Sequence, residues 1–141
     1  MLKNIPPILP PELLKIICEM GHGDEIVLAD GNFPSESLGK RVVRLDGHGT
    51  CEVLKAIMQL FPLDTYATEN SVLMKVVDGD TVKTPIWDEY ETILEKAEGN
   101  KVKRGFEERF AFYDRAKNAY AVIATGEKAL YANLILKKGV L

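Results

Sequence analysis

The sequence predicts an α/β layered fold with a largely parallel central sheet. Helical repeats of ten or more residues alternate with short apolar or β-branched runs along the chain. Two of those runs, Ile26–Ala29 and Ala121–Ala124, are apolar without alternation, the pattern of strands buried on both faces. No internal repeat or low-complexity linker interrupts the alternation. At 141 residues the chain is long enough for one sizeable core, and residues 1–141 read as a single domain.

The elements follow in order. Pro11–Met20 carries Leu13, Leu14, Ile16, Ile17 and Met20 at helical spacing, with Pro11 suited to a first turn and Gly21 as the stop. Asp24–Asp30 reads as a strand, and Asp30-Gly-Asn-Phe-Pro-Ser as a loop or turn. Arg41–Leu45 is a short β-branched run. Thr50 is placed to cap a helix through Leu60, whose Val53, Leu54, Ile57, Met58 and Phe61 share one face. Ser71–Val77 reads as a strand closed by Asp78-Gly-Asp80. Pro85–Ala97 reads as a helix with Ile86, Tyr90, Ile93 and Leu94 inward, stopped at Gly99-Asn. Lys101–Arg104 is a weaker strand, and Glu107–Ala119 a helix repeating on Phe110, Ala111, Tyr113, Ala116 and Lys117. Tyr120–Ala124 is a buried strand, and Leu130–Leu136 a final one.

Bulk composition narrows the function classes. A net charge of −3 with mixed signs offers no basic footprint for nucleic acid or an anionic membrane. No apolar run approaches the ~18 residues of a membrane helix, and the proline-broken N-terminus lacks a signal-peptide core. Cys18 and Cys51 sit in apolar helical patterns and read as buried thiols rather than a disulfide, which fits a reducing, cytoplasmic setting.

The densest candidate chemistry lies in Met20-Gly-His-Gly-Asp-Glu25 and the strand after it. His22 stands between two glycines, which clear neighbouring side chains and permit a close approach to a ligand; the plainer reading of Gly21 and Gly23 is a helix end and a turn. A dinucleotide loop is rejected, because Ile26 replaces the third glycine and the glycines precede a strand instead of following one. The histidines, cysteines and acids lack metal-ligand spacing, and no Gly-x-Ser-x-Gly elbow is present. Asp30 is either a turn residue before Gly31 or a carboxylate at a strand tip, where ligands of α/β sheets gather. On a final strand, Tyr131 and Asn133 point to one face and Ala132, Leu134 and Leu136 to the other. A tyrosine beside an amide suits a sugar, and equally a sheet edge or subunit contact.

Pro11-Glu-Leu-Leu-Lys15, Met20-Gly-His-Gly-Asp-Glu25, Asp30 with Phe33-Pro34, Arg109-Phe-Ala-Phe-Tyr113, Thr125-Gly-Glu127 and Tyr131-Ala-Asn133 through Val140 occur in one order. In that order they resemble the RbsD/FucU family of sugar mutarotases, nearest its L-fucose branch. The resemblance runs nearly end to end and implies an RbsD-like three-layer α/β/α fold. It implies that His22 transfers protons and that Asp30, Arg109, Tyr131, Ala132 and Asn133 contact the sugar. It also implies no cofactor, and a homo-oligomer, typically a decamer of two pentamers, with sites near subunit boundaries. The ribose branch commonly has histidine at the place of Arg109, so Arg109 favours fucose, while Tyr-Ala-Asn fits both branches. Ribose or another monosaccharide as substrate, and non-catalytic sugar binding, stand as the alternatives.

Overall fold

The computed structural model describes residues Met1–Leu141. Helix α1 (Pro11–Glu19) leads into strand β1 (Glu25–Ala29), a single-turn helix α2 (Ser35–Leu38) and strand β2 (Val42–Leu45). Helix α3 (Thr50–Ile57), strand β3 (Ser71–Met74), helix α4 (Pro85–Glu98) and strand β4 (Arg104–Glu107) follow. Helix α5 (Arg109–Asn118), strand β5 (Ala121–Thr125) and strand β6 (Leu134–Lys137) complete the chain.

The strands form one six-stranded sheet in the order β2-β5-β1-β6-β3-β4. Neighbours pair in parallel except β6, which runs antiparallel to both β1 and β3. The reason is the short 126–133 connection from β5. A parallel return needs a crossover of about a dozen residues or more, so β6 has to start where β5 ends. Residues just before β6 therefore lie at the C-terminal ends of the parallel strands.

Side chains divide between two cores with the two-residue period of a pleated strand. Ile26, Leu28, Leu73, Ala121, Ile123, Leu134 and Leu136 face a large core shared with α1, α3 and α4. Val27, Ala29, Val72, Met74, Val122 and Ile135 face a smaller one built with Phe33 and with Phe112, Ala116 and Ala119 at α5. With α2 beside α5, this is the three-layer α/β/α arrangement that the resemblance implies. Each large side chain buried here contributes about 1.5–3 kcal/mol. No helix is long and apolar enough to cross a membrane.

Several elements differ from the sequence reading. Tyr131 to Asn133 precede β6, and Tyr131 sits at φ +56°, so the last strand begins at Leu134. Ala132, Leu134 and Leu136 do share the large core, as expected of their spacing. The fourth strand is shifted onto Arg104–Glu107, the third stops at Met74, and the turn α2 interrupts the loop after Asp30. On α5 the inward residues are Phe112 and Ala116, while Phe110 is 73% exposed. The apolar period misleads there because the inner side also carries Arg115, which reaches Glu25, Glu69 and Glu107 at 2.8, 2.6 and 3.1 Å. Thr50 does not cap α3. Gly49 holds that place, the Thr50 hydroxyl bonds the Tyr90 hydroxyl, and the Glu127 carboxylate accepts the Thr50 N–H at 3.2 Å. Both cysteines are free, but Cys18 is exposed on the outer face of α1, opposite Leu13 and Ile16, and Cys51 is only half-buried at the margin of α3's inner face.

Candidate active site

Two groups of polar residues stand at opposite ends of β1. At its C-terminal end Asp30 is 5% exposed and locked to Asn133. The Asp30 N–H donates to Asn133 Oδ1 at 2.8 Å, and Asn133 Nδ2 donates back to Asp30 Oδ2 at 2.9 Å. Asn32 N–H supplies a third bond, to Asp30 Oδ1, at 2.9 Å. Burial pushes the Asp30 carboxyl above its ordinary value, against the pull of the Asn32 N–H and the Asn133 amide. A close approach shapes the adjoining turn: a Cβ on Gly31 would lie 3.1 Å from the Glu127 carbonyl.

Tyr131 occupies the left-handed region, which costs a non-glycine residue about 1–2 kcal/mol. Helix α4 holds it there. Trp87 Nε1 donates to the Tyr131 carbonyl at 2.8 Å, and the Tyr90 hydroxyl donates to the Ala132 carbonyl at 2.7 Å. Glu127 anchors the start of the same loop through the N–H groups of Lys128 and Ala129, at 2.9 and 3.0 Å. Burial would raise its carboxyl; the N–H groups of Ala129 and Thr50 outweigh that and hold it below the ordinary range. The Tyr131 hydroxyl donates to Asp80 Oδ2 at 2.8 Å, and that carboxylate raises the phenol's pKa. Arg109, the first residue of α5, donates from Nε to the Tyr113 hydroxyl at 3.1 Å and borders a groove of about 270 Å³ with Lys75, Val77 and Asp78. Buried Phe33 and Phe112, with half-buried Tyr113 and Tyr131, floor this end of the sheet. Ala132 itself is fully buried, so its side chain fills core while its carbonyl fixes the loop.

At the other end of β1, Gly21 and Gly23 shape the loop that carries His22. Gly23 sits at φ +86°, a conformation only glycine adopts without strain, and donates its N–H to the Lys138 carbonyl at 2.8 Å. Gly21 N–H donates to Asp24 Oδ2 at 2.7 Å. Lys138 Nζ meets the carbonyls of Ile17 and Met20 at the end of α1, where a cation complements the helix dipole. The His22 ring, 46% exposed, bonds through Nε2 to Asp64 Oδ1 at 3.1 Å and lies 5.6 Å from the Tyr66 ring.

The chain thus brings Asp30 to Asn133 and gathers Tyr131 and Arg109 at the same end of the sheet, but it does not bring His22 to them. Four steps of β1, at ~3.3 Å each, separate the ends by about 13 Å. Sequence reading missed Trp87, took Tyr90 only as core and Glu127 only as part of a motif, although all three support the Tyr131–Asn133 loop, and it missed Asp64, which holds the histidine. Asp64 lies 42 residues from His22 with no shared motif, so no local signal joins them. Chemically, one end offers a group for proton transfer. The other offers hydroxyl, amide, guanidinium and carboxylate groups beside aromatic surface, the kit for a polar ring with several hydroxyls.

Comparison with known proteins gives this layout a family. A sequence model of the RbsD / FucU transport protein family matches residues 3–141. The fucose mutarotase of Danio rerio is 53% identical, over 100% of this chain and 95% of its own. The crystal structure of FucU from Bifidobacterium longum superposes with a TM-score of 0.96 at 60% identity, covering 99% of each chain. The Streptococcus pneumoniae fucose mutarotase solved in complex with L-fucose gives 0.93 at 48%, again covering 99% of each. Bacillus subtilis RbsD complexed with D-ribose gives 0.73 at 26%, over 100% of this chain and 99% of that one. On sequence and fold alike, the chain belongs to the RbsD/FucU family.

Proposed function

We propose that this protein is an L-fucose mutarotase, a carbohydrate isomerase that interconverts the α and β anomers of the sugar. The observation that carries this is similarity over almost the whole chain to fucose mutarotases, at 53% and 48% identity, against 26% for the ribose-bound relative. Arg109 at the mouth of the groove supports fucose over ribose.

In this reading the His22 imidazole takes the proton of the anomeric hydroxyl as the bond from the anomeric carbon to the ring oxygen breaks. The ring oxygen receives a proton from a second donor, water or the Tyr131 hydroxyl. The open aldehyde rotates and recloses on either face, and His22 returns its proton. General acid–base assistance of this kind contributes roughly 10²–10⁴-fold, a sufficient factor for a reaction that free sugars undergo slowly in water. The exchange is redox-neutral, and its chemistry requires no cofactor. Asp30, Arg109 and the Tyr131–Asn133 loop bind the sugar, Asp30 through the amide of Asn133 as much as directly.

Because β1 separates His22 from this cradle, we infer a site shared between copies, with His22 of one copy completing the cradle of its neighbour in a ring-shaped homo-oligomer, a decamer of two pentamers. Exposed Val77 and Phe110 at the groove, and Tyr66 beside His22, give apolar surface for such contacts. Each copy acts as one domain around one sheet, and the two free thiols suit a cytoplasmic setting.

Magnetisation-exchange NMR on L-fucose tests the function. The protein is expected to speed α/β exchange, faster for L-fucose than for D-ribose, and His22→Ala to abolish the effect. Binding without faster exchange would reduce the protein to a sugar-binding module.

A further inference from the structure

The pair at the N-terminal end of β1 deepens this reading. We propose that Asp64 is the positioning residue for His22, fixing the neutral ring with its proton on Nε2 and leaving Nδ1 as the atom that exchanges protons with the sugar. The inference rests on the catalytic reading of His22.

The geometry carries it. Asp64 is held from all sides and does not adapt to the ring. Its backbone N–H donates to the Lys137 carbonyl at 3.0 Å, and its carbonyl accepts from the buried Asn70 amide at 2.8 Å. Its Oδ1 accepts the Tyr66 N–H at 2.9 Å, closing a turn back over the carboxylate. Pro62 and Leu63 are pressed against Gly139, where any Cβ would strike the Leu63 carbonyl. The side chain is 6% exposed, whereas the ring it holds is 46% exposed. A buried, fixed acceptor thus faces a partly open ring.

The tautomer follows from hydrogen-bond chemistry. The Tyr66 N–H, ahead of the contribution from the His22 ring, holds the Asp64 carboxyl below its ordinary range despite desolvation. It is a carboxylate at neutral pH, and a carboxylate only accepts. The neutral imidazole must therefore present N–H at Nε2, and its lone pair resides on Nδ1, which makes no hydrogen bond within the chain. During ring opening the O1–H proton passes to Nδ1, the C1–O5 electron pair goes to O5, and O5 takes a proton from the second donor. The imidazolium so formed keeps its Nε2–H on the carboxylate, and closure reverses each transfer. The Tyr66 ring lies beside the same imidazole, its centroid 5.6 Å away.

The chain contains two histidines, so a His48→Gln background leaves His22 as the sole imidazole signal. His48 pairs only with exposed Glu52, and its replacement is expected to leave exchange unchanged. Magic-angle-spinning ¹⁵N NMR of histidine-labelled protein in this background is expected to show Nε2 protonated and Nδ1 bare above the imidazole titration. Asp64→Asn offers the ring a donor and an acceptor, so it should mix the tautomers and slow sugar exchange by roughly tenfold or more. The tautomer is read with Asp64 intact: a single Nε2–H form, without the minor Nδ1–H form that a free imidazole shows, supports the assignment even if Asp64→Asn fails to fold. A ring protonated on Nδ1, or an Asp64→Asn protein with a full exchange rate, overturns the assignment. In that event an inactive His22→Ala would leave the mutarotase reading standing. Full exchange in His22→Ala overturns both.

Discussion

Mixing two impaired variants gives the sharpest test of a site divided along β1. His22→Ala removes the proposed proton carrier and leaves the cradle; Arg109→Ala removes a proposed sugar contact and leaves His22. Arg109 lies at the surface and bonds only the Tyr113 hydroxyl, so its loss leaves the fold intact. A hydrogen bond from a charged group is worth about 1.5–3 kcal/mol, so Arg109→Ala alone should lose roughly tenfold to a hundredfold in kcat/KM. About 13 Å of strand separates His22 from the Asp30–Asn133 cluster of its own chain, so on the proposed reading each site draws on two chains. When the variants assemble at random, half the sites receive an intact His22 and half an intact cradle. About a quarter receive both and regain wild-type chemistry, as a repeating head-to-tail interface requires. The assay is L-fucose exchange by NMR on oligomers co-expressed with two tags and purified through both. Activity near a quarter of wild type supports the shared site. Activity no greater than the average of the two separate variants refutes the reasoning, and places His22 and Arg109 of one chain in one pocket.

Three further outcomes follow from the geometry. Trp87→Phe keeps the ring packing but removes the bond that holds Tyr131 in its left-handed conformation; it should cost about 1 kcal/mol in urea unfolding and lower kcat/KM for fucose with unchanged circular dichroism. Arg115→Met leaves Glu25, Glu69 and Glu107 facing one another, with Lys137 on Glu25 as the remaining cation. A fully buried break costs about 3–5 kcal/mol; Arg115 keeps 19% exposure, so about 2–3 kcal/mol is expected in chemical denaturation. Asp64 and Glu127 both sit below the ordinary carboxylate range when folded. The stability they contribute is present above their unfolded values, about pH 4, and lost as pH falls through the folded ones. Asp30 opposes this, because its raised value costs stability at neutral pH that returns on protonation. Denaturation midpoints from pH 7 to pH 3 should therefore fall, with a shallower decline in Glu127→Gln.

Much of the candidate site was legible in the chain, and the gaps in that reading have physical causes. Asp30 was readable because a carboxylate after a continuous apolar run marks a strand tip, and β1 ends at Ala29. The α4 face of Ile86, Tyr90, Ile93 and Leu94 was readable from its period, and all four are buried. That Tyr90 also serves the Ala132 carbonyl was not, since the hydrogen bond spans 42 residues. Tyr131 read as strand because aromatic and apolar residues continue into Leu134; bonds from α4 override that preference and hold it at positive φ. Arg115 hid the inner face of α5, because a hydrophobic count cannot register an arginine satisfied by Glu107 and by two distant glutamates.

What the sequence determined alone was whatever depends on neighbours: the alternation of elements, the doubly buried strands, the glycines around His22 and the order of motifs that marks the family. Periodicity and φ restrictions act over a few residues, so they can be read without coordinates. The tertiary structure decided what depends on the path of the sheet. It set β6 antiparallel between β1 and β3, bound Asp30 to Asn133, gave His22 the carboxylate of Asp64, and put the histidine and the Asp30–Asn133 pair at opposite ends of one strand. Those are contacts between residues far apart in the chain, fixed only when packing selects one arrangement of strands.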